Sequence, residues 1–531
     1  MVDNNQFHLS PYPSPKHQDK SGNEISVIPK PQKVDLGGDM LTLPHSIFVA
    51  GSSTIVATAI ASLNQRELDA QLAPDDVSAM VHFLHPDDGA MGIVELPTNP
   101  PGAYYLSVSE EGVIITADSE RGWFHGLQSL LQLIDTTPRT GSRAVLPTVT
   151  ITDWPRFKWR GYMLDESRHF SGIEATKRLL DTMAYYKLNI FHWHLTDSPG
   201  WRIEIKSKPK LTSVGSVGNY SDPGASPKFY TQEQIRDVVS FANARHIEVI
   251  PEIGMPGHMS AAMRSYPEFS GGGTEKDPYY TINPISDAAD KFLISILDEV
   301  AELFIGAEVI HFGGDEVNVA HKSWRTLGGV QKLIEDGSFK SEHEIEAAFN
   351  RRIAKLINGL GFTVGGWDEV FGSGLEIEGT LIFWWHHDRP ELLTEILESG
   401  YKVVLCPRKP QYFDFLQHET HNVGRTWDGF ISLEDVYCFP DSLEAYENRP
   451  TNGKVVGINA NLWTEQAITQ ERRDFLTFPR LLATAESAWT LKEYKIWETF
   501  FNSRLKNHLP LLETRGLIIF NPYSISVEIP R

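Results

Sequence analysis

The sequence predicts an α/β fold, in which a (β/α)8 TIM barrel is preceded by a small α+β domain. Short apolar runs recur eight times in the later part of the chain, and helical patterns separate most of them. Polar and aromatic residues follow nearly every run, at the strand ends where a barrel places its active site. A doubly wound open sheet is the alternative, and the recurrence of these residues favours the barrel.

The first part of the chain has a different pattern. Residues 103–117 contain two strand-like runs joined by Glu-Glu-Gly, which predicts a hairpin. Gly122–Ile134 carries apolar residues on one helical face. We therefore predict an α+β domain over residues 25–152. Residues 1–24 are polar, contain Pro-Tyr-Pro-Ser-Pro and are predicted to be a flexible segment.

The barrel is predicted over residues 153–531, with a C-terminal helical segment. Two sequence pairs fit capping boxes at helix starts, Ser171 with Glu174 and Thr231 with Gln234. The eight predicted strands are Trp159–Leu164, Asn189–Leu195, Ile247–Ile253, Val309–Phe312, Phe362–Trp367, Thr380–Trp385, Lys402–Cys406 and Val456–Trp463.

The composition is that of an ordinary globular protein, with 41% hydrophobic and 22% charged residues. A net charge of −21 disfavours nucleic acid or an anionic membrane as the main partner. The two cysteines, Cys406 and Cys438, exclude a disulfide framework and leave a single bridge open. Neither a leader nor an apolar stretch of transmembrane length is visible, so we expect a cytoplasmic location, or secretion if a leader has been trimmed.

The most informative stretch is Ala307-Glu-Val-Ile-His-Phe-Gly-Gly-Asp-Glu-Val. An apolar strand leads into two glycines, which free the backbone to turn, and Asp315 and Glu316 follow at once. Acidic side chains are rarely fully buried unless they are paired. An acidic pair at the end of a core strand therefore indicates a functional role.

Tryptophans are the second sign of function. Several of the 13 lie at or near predicted strand ends or in barrel loops. Flat aromatic faces suit the C–H faces of a sugar ring, whereas carboxylates and arginine bind its hydroxyl groups. The tryptophans in question are Trp193, Trp367, Trp384, Trp385, Trp427 and Trp463.

Three functions fit these residues at this point. The first is a glycosidase, and the second is a metal-dependent hydrolase with His192 and His194 as ligands and an Asp that completes the site. The third is a catalytically inactive sugar-binding barrel. The metal site is disfavoured because no good run of further histidine ligands follows at the next strand ends.

The adjacency of Asp315 and Glu316 narrows the glycosidase mechanism. An ordinary retaining glycosidase places two carboxyl groups about 5–5.5 Å apart on opposite sides of the scissile bond. Neighbouring residues point in diverging directions, so they suit two separate roles better than positions on opposite sides of one bond. Glu316 would be the general acid/base, and Asp315 would steady a 2-acetamido group of the substrate that itself acts as the nucleophile.

The chain resembles the β-N-acetylhexosaminidases of glycoside hydrolase family 20 over nearly everything after residue 25. The most specific match is His311-Phe-Gly-Gly-Asp-Glu-Val. Supporting matches are Asp165-Glu-Ser-Arg-His-Phe, His194-Leu-Thr-Asp, Pro256-Gly-His, Gly366-Trp-Asp-Glu and Leu462-Trp-Thr-Glu.

The resemblance implies a role for each matching residue. Asp315 and Glu316 take the roles described above, and Asp197 with His258 resembles the pair that tunes Glu316, whose pKa must stay high enough to hold a proton. The resemblance further implies that Tyr412 donates to the acetamide oxygen and that the walls of the acetamide pocket are Trp367, Trp385 and Trp463. For the terminal sugar, it implies that Arg168 clamps O3 and O4 and that Asp414 and Glu465 bind O4 or O6. It also implies that Trp427 stacks under the next sugar.

The implied activity is that of an exo-acting, retaining β-N-acetylhexosaminidase that releases terminal β-linked GlcNAc or GalNAc through an oxazolinium intermediate. The partner is an oligosaccharide or glycoconjugate substrate, and neither a metal nor an organic cofactor is expected. The chain departs from many relatives at Gly254 and Ser198, where they carry Asp. These departures put the hydrogen bonding around Asp197, and hence the pH optimum, in question.

Overall fold

The computed structural model describes residues 24–75, 78–88, 96–137, 139–140, 143–443, 446 and 454–524. The predicted segment 1–24 lies outside this range except for its last residue. The described residues divide into two compact units. The first takes residues up to 156 together with those of 433–452 and 489–511, and the second takes the rest.

The first unit contains a mixed sheet of eight strands, in the order β1-β8-β5-β6-β4-β2-β3 with β7 paired to β8. The predicted hairpin is confirmed as the antiparallel pair β5–β6, and the predicted helix runs from Glu120 to Thr136. A second helix covers Ser53–Asn64. The strands β1 to β8 are Lys33–Thr42, Ser46–Ala50, Asp69–Leu72, Val81–Leu84, Tyr104–Val108, Val113–Thr116, Arg139–Thr140 and Arg143–Asp153.

The second unit is a closed parallel barrel, which confirms the predicted TIM fold. Its order is β9-β10-β11-β14-β15-β16-β17-β20, and β20 closes onto β9. All eight predicted strands are present, with ends that differ by at most two residues. The strands β9 to β20 are Trp159–Asp165, Ile190–Thr196, Glu248–Met255, Ser270–Gly272, Thr281–Ile282, Val309–Gly313, Thr363–Trp367, Thr380–Trp384, Lys402–Leu405, Phe415–Leu416, Arg425–Phe430 and Val455–Leu462.

The barrel strands read as continuous apolar runs because both of their faces are covered. Every residue of β9, β10, β14 and β16 is buried, as expected of parallel strands packed on both sides. The helices after β8 are Ile173–Tyr185, Lys210–Ser213, Gln232–Asn243, Ser260–Ser265, Asp287–Leu303, His321–Trp324, Gly328–Glu335, Glu342–Gly359, Pro390–Glu398, Arg408–Gln411, Leu433–Cys438, Gln470–Thr477, Arg480–Trp489, Trp497–Thr499 and Leu505–Thr514.

The two cysteines and the hydropathy of the helices also bear on the sequence predictions. Both cysteines are free, with Cys406 buried and Cys438 partly exposed. Within the described ranges, no helix is long and apolar enough to cross a membrane.

One of the two predicted capping boxes is confirmed and the other is wrong. The Thr231 side chain accepts from the Gln234 N–H, and the Gln234 side chain accepts from the Thr231 N–H. At the other helix Gly172 is the N-cap, with φ +86° and no side-chain cap. The N–H of Ser171 instead donates to Glu166 Oε2 at 2.5 Å. This bond and the glycine turn leave Ser171 one residue too early to cap the helix.

The two serine/threonine positions form a matched test of the cap. We expect Thr231→Ala to lower the free energy of unfolding by about 1 kcal/mol, because it leaves a helix N–H without its acceptor. Ser171→Ala should cost less, since Ser171 Oγ has no hydrogen-bond partner among the described residues. Urea midpoints of the two variants check this, and equal midpoints would contradict it.

Candidate active site

The end of β14 makes the sharp turn that its glycines predict. Gly313 and Gly314 have φ of +79° and +88°, a region that residues with a side chain rarely adopt. A Cβ on Gly313 would lie 3.2 Å from the Cα of Gly254, so the turn also needs the space. Glu316 itself is left-handed at φ +53°, and such backbone strain in a non-glycine residue is concentrated at functional sites.

The turn gives the two adjacent acids different surroundings. The Asp315 side chain is 19% exposed and the Glu316 side chain 56% exposed. Both still meet one imidazole, because His258 Nε2 lies 3.3 Å from Asp315 Oδ2 and 3.4 Å from Glu316 Oε2. The two carboxylates therefore diverge in exposure but share a single proton donor.

His258 is in turn held by Asp197, which follows β10. Asp197 Oδ1 lies 3.0 Å from His258 Nδ1, and Oδ2 lies 3.1 Å from His194 Nε2. Arg168, which follows β9, places Nη2 2.9 Å from the same Oδ2. Asp197 is buried and bound by three cationic or ionisable partners, so its carboxylate fixes the side chains around it.

The charges of this cluster shift the pKa of each member. Burial works against a charged His258, yet the carboxylates of Asp197 and Asp315 raise its pKa well above the ordinary value. Burial, together with Glu252, Glu316 and Asp197, raises the pKa of Asp315 to about 6 against the opposing charge of His258. The neighbouring His258 lowers the pKa of Glu316, although burial opposes this. In the free site, Asp315 rather than Glu316 holds a proton more readily, which is the reverse of the expectation for Glu316.

A cavity of about 160 Å³ lies against these groups. Nine of the twelve predicted site residues line it. They are Arg168, His258, Asp315, Glu316, Trp367, Trp385, Tyr412, Trp463 and Glu465.

Four aromatic side chains form one wall of the cavity. The ring of Trp463 lies 5.9 Å from that of Trp367 and 6.0 Å from that of Tyr412, and Tyr412 stacks on Trp385 at 6.4 Å. Burial raises the pKa of Tyr412 well above its usual value, so its hydroxyl remains a donor. Trp384 is fully buried in β16 and does not line the cavity, whereas the next residue, Trp385, does.

Arg168 lines the cavity next to the aromatic wall. Besides Asp197, its guanidinium lies 3.5 Å from Asp165 and 3.7 Å from Glu465, and it covers the ring of Trp463 at 4.9 Å. A guanidinium with this many carboxylate neighbours is held in one orientation.

Three predicted residues do not line the cavity. Asp197 lies behind it, and Asp414 is buried with its Oδ2 2.7 Å from Arg425 Nη2. Trp427 is 59% exposed on β19. Two further residues, Arg408 and Arg425, line the cavity and were not predicted. Arg425 precedes Trp427 by two positions on one strand, and residues at this spacing lie on the same face. The prediction for Trp427 could therefore have been extended to Arg425.

The two departures leave Asp197 well supplied with partners. The N–H of Ser198 donates to Asp197 Oδ1 at 2.5 Å, and Ser198 Oγ lies 2.9 Å from Ser260 Oγ. A Cβ on Gly254 would make only ordinary contacts, the nearest at 3.6 Å. The site therefore has room for a larger residue at position 254.

The histidines of the metal-site alternative both contact a buried carboxylate. His192 Nε2 and His194 Nδ1 lie 2.7 and 2.9 Å from Glu252 Oε2. Neither histidine lines the cavity.

Residues 157–492 match the family described as glycosyl hydrolase family 20, catalytic domain, and residues 24–154 match domain 2 of the same family. The chain belongs to glycosyl hydrolase family 20. Together the two matches cover most of its length, so family 20 accounts for the barrel as well as for the smaller domain that precedes it.

Relatives of this family 20 chain carry related names. A beta-hexosaminidase of Porphyromonas gingivalis is 35% identical over 93% of the chain and 64% of its own length, so the chain spans less than two thirds of that relative. A beta-hexosaminidase of Vibrio furnissii is 34% identical over 88% of the chain and 77% of its own length. A crystal structure of a GH20 exo beta-N-acetylglucosaminidase from Vibrio harveyi, in complex with N-acetylglucosamine, has a TM-score of 0.83 and 32% identity over 94% of this chain and 79% of that one.

The Asp197–His258 contact has a direct test. Asp197 is the largest influence that raises the pKa of His258, so we expect Asp197→Asn to lower that pKa and His258 to lose its proton at a lower pH. An NMR titration of labelled histidine, with the resonance assigned by its loss in His258→Gln, measures this. Asp181→Asn, which removes a surface partner of Arg245, is the control and should leave the titration unchanged. An identical titration in Asp197→Asn would contradict the account.

Proposed function

We propose that the protein is an exo-acting, retaining β-N-acetylhexosaminidase that uses the 2-acetamido group of its substrate as the nucleophile. One observation carries the proposal. Asp315 and Glu316 are adjacent in sequence and both line an aromatic-walled cavity, but the Asp315 side chain is mostly buried and the Glu316 side chain is exposed. Such a pair separates the two tasks of orienting an amide and moving a proton.

Asp315 and Tyr412 are suited to hold the two ends of the amide. Above its pKa of about 6 the Asp315 carboxylate is an anion, and it accepts a hydrogen bond from the acetamide N–H. The buried Tyr412 hydroxyl donates to the carbonyl oxygen. The tryptophan wall confines the methyl group, so that the carbonyl oxygen is aimed at the anomeric carbon, an arrangement that lowers the entropic part of the barrier.

Glu316 is suited to transfer the proton. In the free site His258 keeps its pKa low, but a bound sugar would cover a carboxylate that is 56% exposed, and the loss of water raises a carboxyl pKa. Its protonated form donates to the leaving oxygen as the acetamide oxygen attacks and an oxazolinium ring closes. Glu316 then takes a proton from water, which attacks the anomeric carbon from the side that the leaving group vacated. The bond from that carbon to the acetamide oxygen breaks, so the ring opens, the acetamide is restored and the product has net retention.

The cavity supports the release of one terminal sugar. Its volume of about 160 Å³ is small, and Arg168, Glu465 and Arg425 in its lining supply groups suited to bind hydroxyls. The exposed ring of Trp427 lies near Arg425, at 5.6 Å, and offers a face to the next sugar. The similar exo beta-N-acetylglucosaminidase of Vibrio harveyi, whose structure contains N-acetylglucosamine, adds support for terminal GlcNAc. Chitooligosaccharides are accordingly the first substrates to test.

Glu316→Gln tests the proton transfer. We expect kcat on chitobiose-type substrates to fall by about 10²–10⁴-fold, since general acid catalysis contributes about this much. The loss should be much smaller on aryl glycosides whose leaving group needs no proton. Glu308→Gln, at a surface ion pair with Lys158, is the control. Near-full activity of Glu316→Gln on the chitobiose-type substrate would show that the assigned role is wrong.

Asp315→Asn tests the orientation of the nucleophile. We expect it to reduce turnover of N-acetylated substrates and to weaken binding of a thiazoline mimic of the cyclised intermediate, because a neutral amide accepts a weaker hydrogen bond from the acetamide N–H and does not stabilise the positive charge of the cyclised group. A glycoside panel assayed with and without the thiazoline measures both effects. If the wild-type protein hydrolyses plain glucosides as fast as their 2-acetamido counterparts, the proposed function is refuted.

A further inference from the structure

Glu252 is a fully buried carboxylate that the proposed mechanism does not use. It lies on β11, 1% exposed, and does not line the cavity. Burial of an ionised carboxylate is costly unless it is paired and hydrogen-bonded. Glu252 therefore requires an explanation that the catalytic roles leave out.

Four side chains from three neighbouring strands converge on this carboxylate. On one oxygen, Oε2, lie His192 Nε2 at 2.7 Å and His194 Nδ1 at 2.9 Å, both from β10, at ion-pair distance but without the alignment of a hydrogen bond. On the other oxygen, Oε1, lie the Trp367 Nε1–H of β15, which donates at 3.0 Å, and His311 Nδ1 of β14 at 3.3 Å. Glu252 is thus a junction inside the barrel, one layer below the cavity.

The first arm of the junction leads to the proton-transfer group. His194 contacts Glu252 with one ring nitrogen and Asp197 Oδ2 with the other, at 3.1 Å. Asp197 contacts His258 at 3.0 Å, and His258 lies 3.4 Å from Glu316. Acidic and basic groups alternate along the whole path from Glu252 to Glu316.

The charges along this arm support one another. Burial opposes a charged His194, but Glu252 and Asp197, with Asp165 further away, raise its pKa to about 10. The pKa of Glu252 lies well below its usual value despite burial, because His194 and His311 stabilise its charge. His192, by contrast, has its pKa lowered to about 4 by burial. Near neutral pH the pair is an anionic Glu252 and a cationic His194.

The second arm leads to the aromatic wall of the cavity, called here the acetamide wall, which is formed by Trp367, Trp385, Tyr412 and Trp463. Trp367 lines the cavity and is itself 1% exposed, and the only polar atom of its side chain donates to Glu252. The same carboxylate therefore contacts two groups. It fixes the plane of the Trp367 ring in the acetamide wall, and it contacts His194, which begins the path to Glu316.

We propose that Glu252 is a positioning residue that couples the two halves of the site, holding Trp367 of the acetamide wall with one oxygen and the path to Glu316 with the other. The inference rests on the proposed function, since the acetamide wall has a task only if the amide reacts. It differs from simple core filling, which predicts a loss of stability without a change in the chemistry.

Glu252→Gln, which keeps the size of the side chain and removes its charge, tests the coupling. We expect at least a tenfold loss of kcat on 2-acetamido substrates and a comparable loss of affinity for the thiazoline mimic. The loss of kcat should be larger for poor leaving groups than for activated aryl ones, because the path ends at the proton donor. A purely structural role would not move this leaving-group dependence.

Glu166→Gln is the matched control. Glu166 is also fully buried at a barrel strand end, where its carboxylate binds Tyr230 and Ser171 rather than any cavity-lining group. It should keep kcat and thiazoline affinity within about twofold of the wild type. Should Glu252→Gln fail to fold, His194→Gln interrupts the first arm and leaves the Glu252–Trp367 hydrogen bond in place. It should show the same stronger loss of kcat for poor leaving groups.

The outcomes separate the inference from the proposed function. If the wild type requires the 2-acetamido group but folded Glu252→Gln, or His194→Gln in its place, shows an unchanged leaving-group dependence, the coupling is overturned and the function stands. If the wild type shows no preference for 2-acetamido sugars, the function itself fails before the variants are compared.

Discussion

The site depends on one imidazole that faces two adjacent carboxylates. His258 Nε2 lies almost equally far from Asp315 and Glu316, at 3.3 and 3.4 Å. Because a proton or a hydrogen bond given to one acid is withdrawn from the other, their charges are linked. The glycine turn at Gly313 and Gly314 brings the acids to this position, and Asp197 holds the imidazole there. The remaining groups of the cavity are arranged around this shared contact.

This linkage explains why adjacent acids can act differently. In the free site Asp315 has a raised pKa and Glu316 a lowered one, which is the reverse of what the proposed mechanism requires. Under that proposal, binding of an amide that donates to Asp315 would favour its anion, and His258 would shift its contact toward Asp315. Glu316, released from that contact and covered by the sugar, would then become the better proton carrier. The proposal therefore assigns to the substrate part of the change that prepares Glu316 as the acid.

Much of the barrel could be predicted from the sequence, because parallel strands buried on both faces are continuous apolar runs. The position of the acidic pair, Asp315 and Glu316, at the end of a barrel strand could be predicted for a related reason, since carboxylates are conspicuous immediately after such a run. Ser171 shows where local pattern fails, because its N–H is taken by Glu166 and the helix is capped by Gly172. The pairing of Asp414 with Arg425 and the convergence of four side chains on Glu252 depend on three-dimensional neighbours that no local spacing records. The sugar contacts assigned to Asp414 and Trp427 stay predictions.

In the proposed mechanism the carbonyl oxygen of the substrate's acetamide group is the nucleophile. The most direct test varies the electron density on that oxygen. A series of aryl glycosides with N-acetyl, N-fluoroacetyl, N-difluoroacetyl and N-trifluoroacetyl groups changes that density while the leaving group stays the same. The account predicts that kcat/KM falls steeply with each added fluorine, because fluorine withdraws electrons from the attacking oxygen. A kcat/KM that does not depend on the number of fluorines would contradict it.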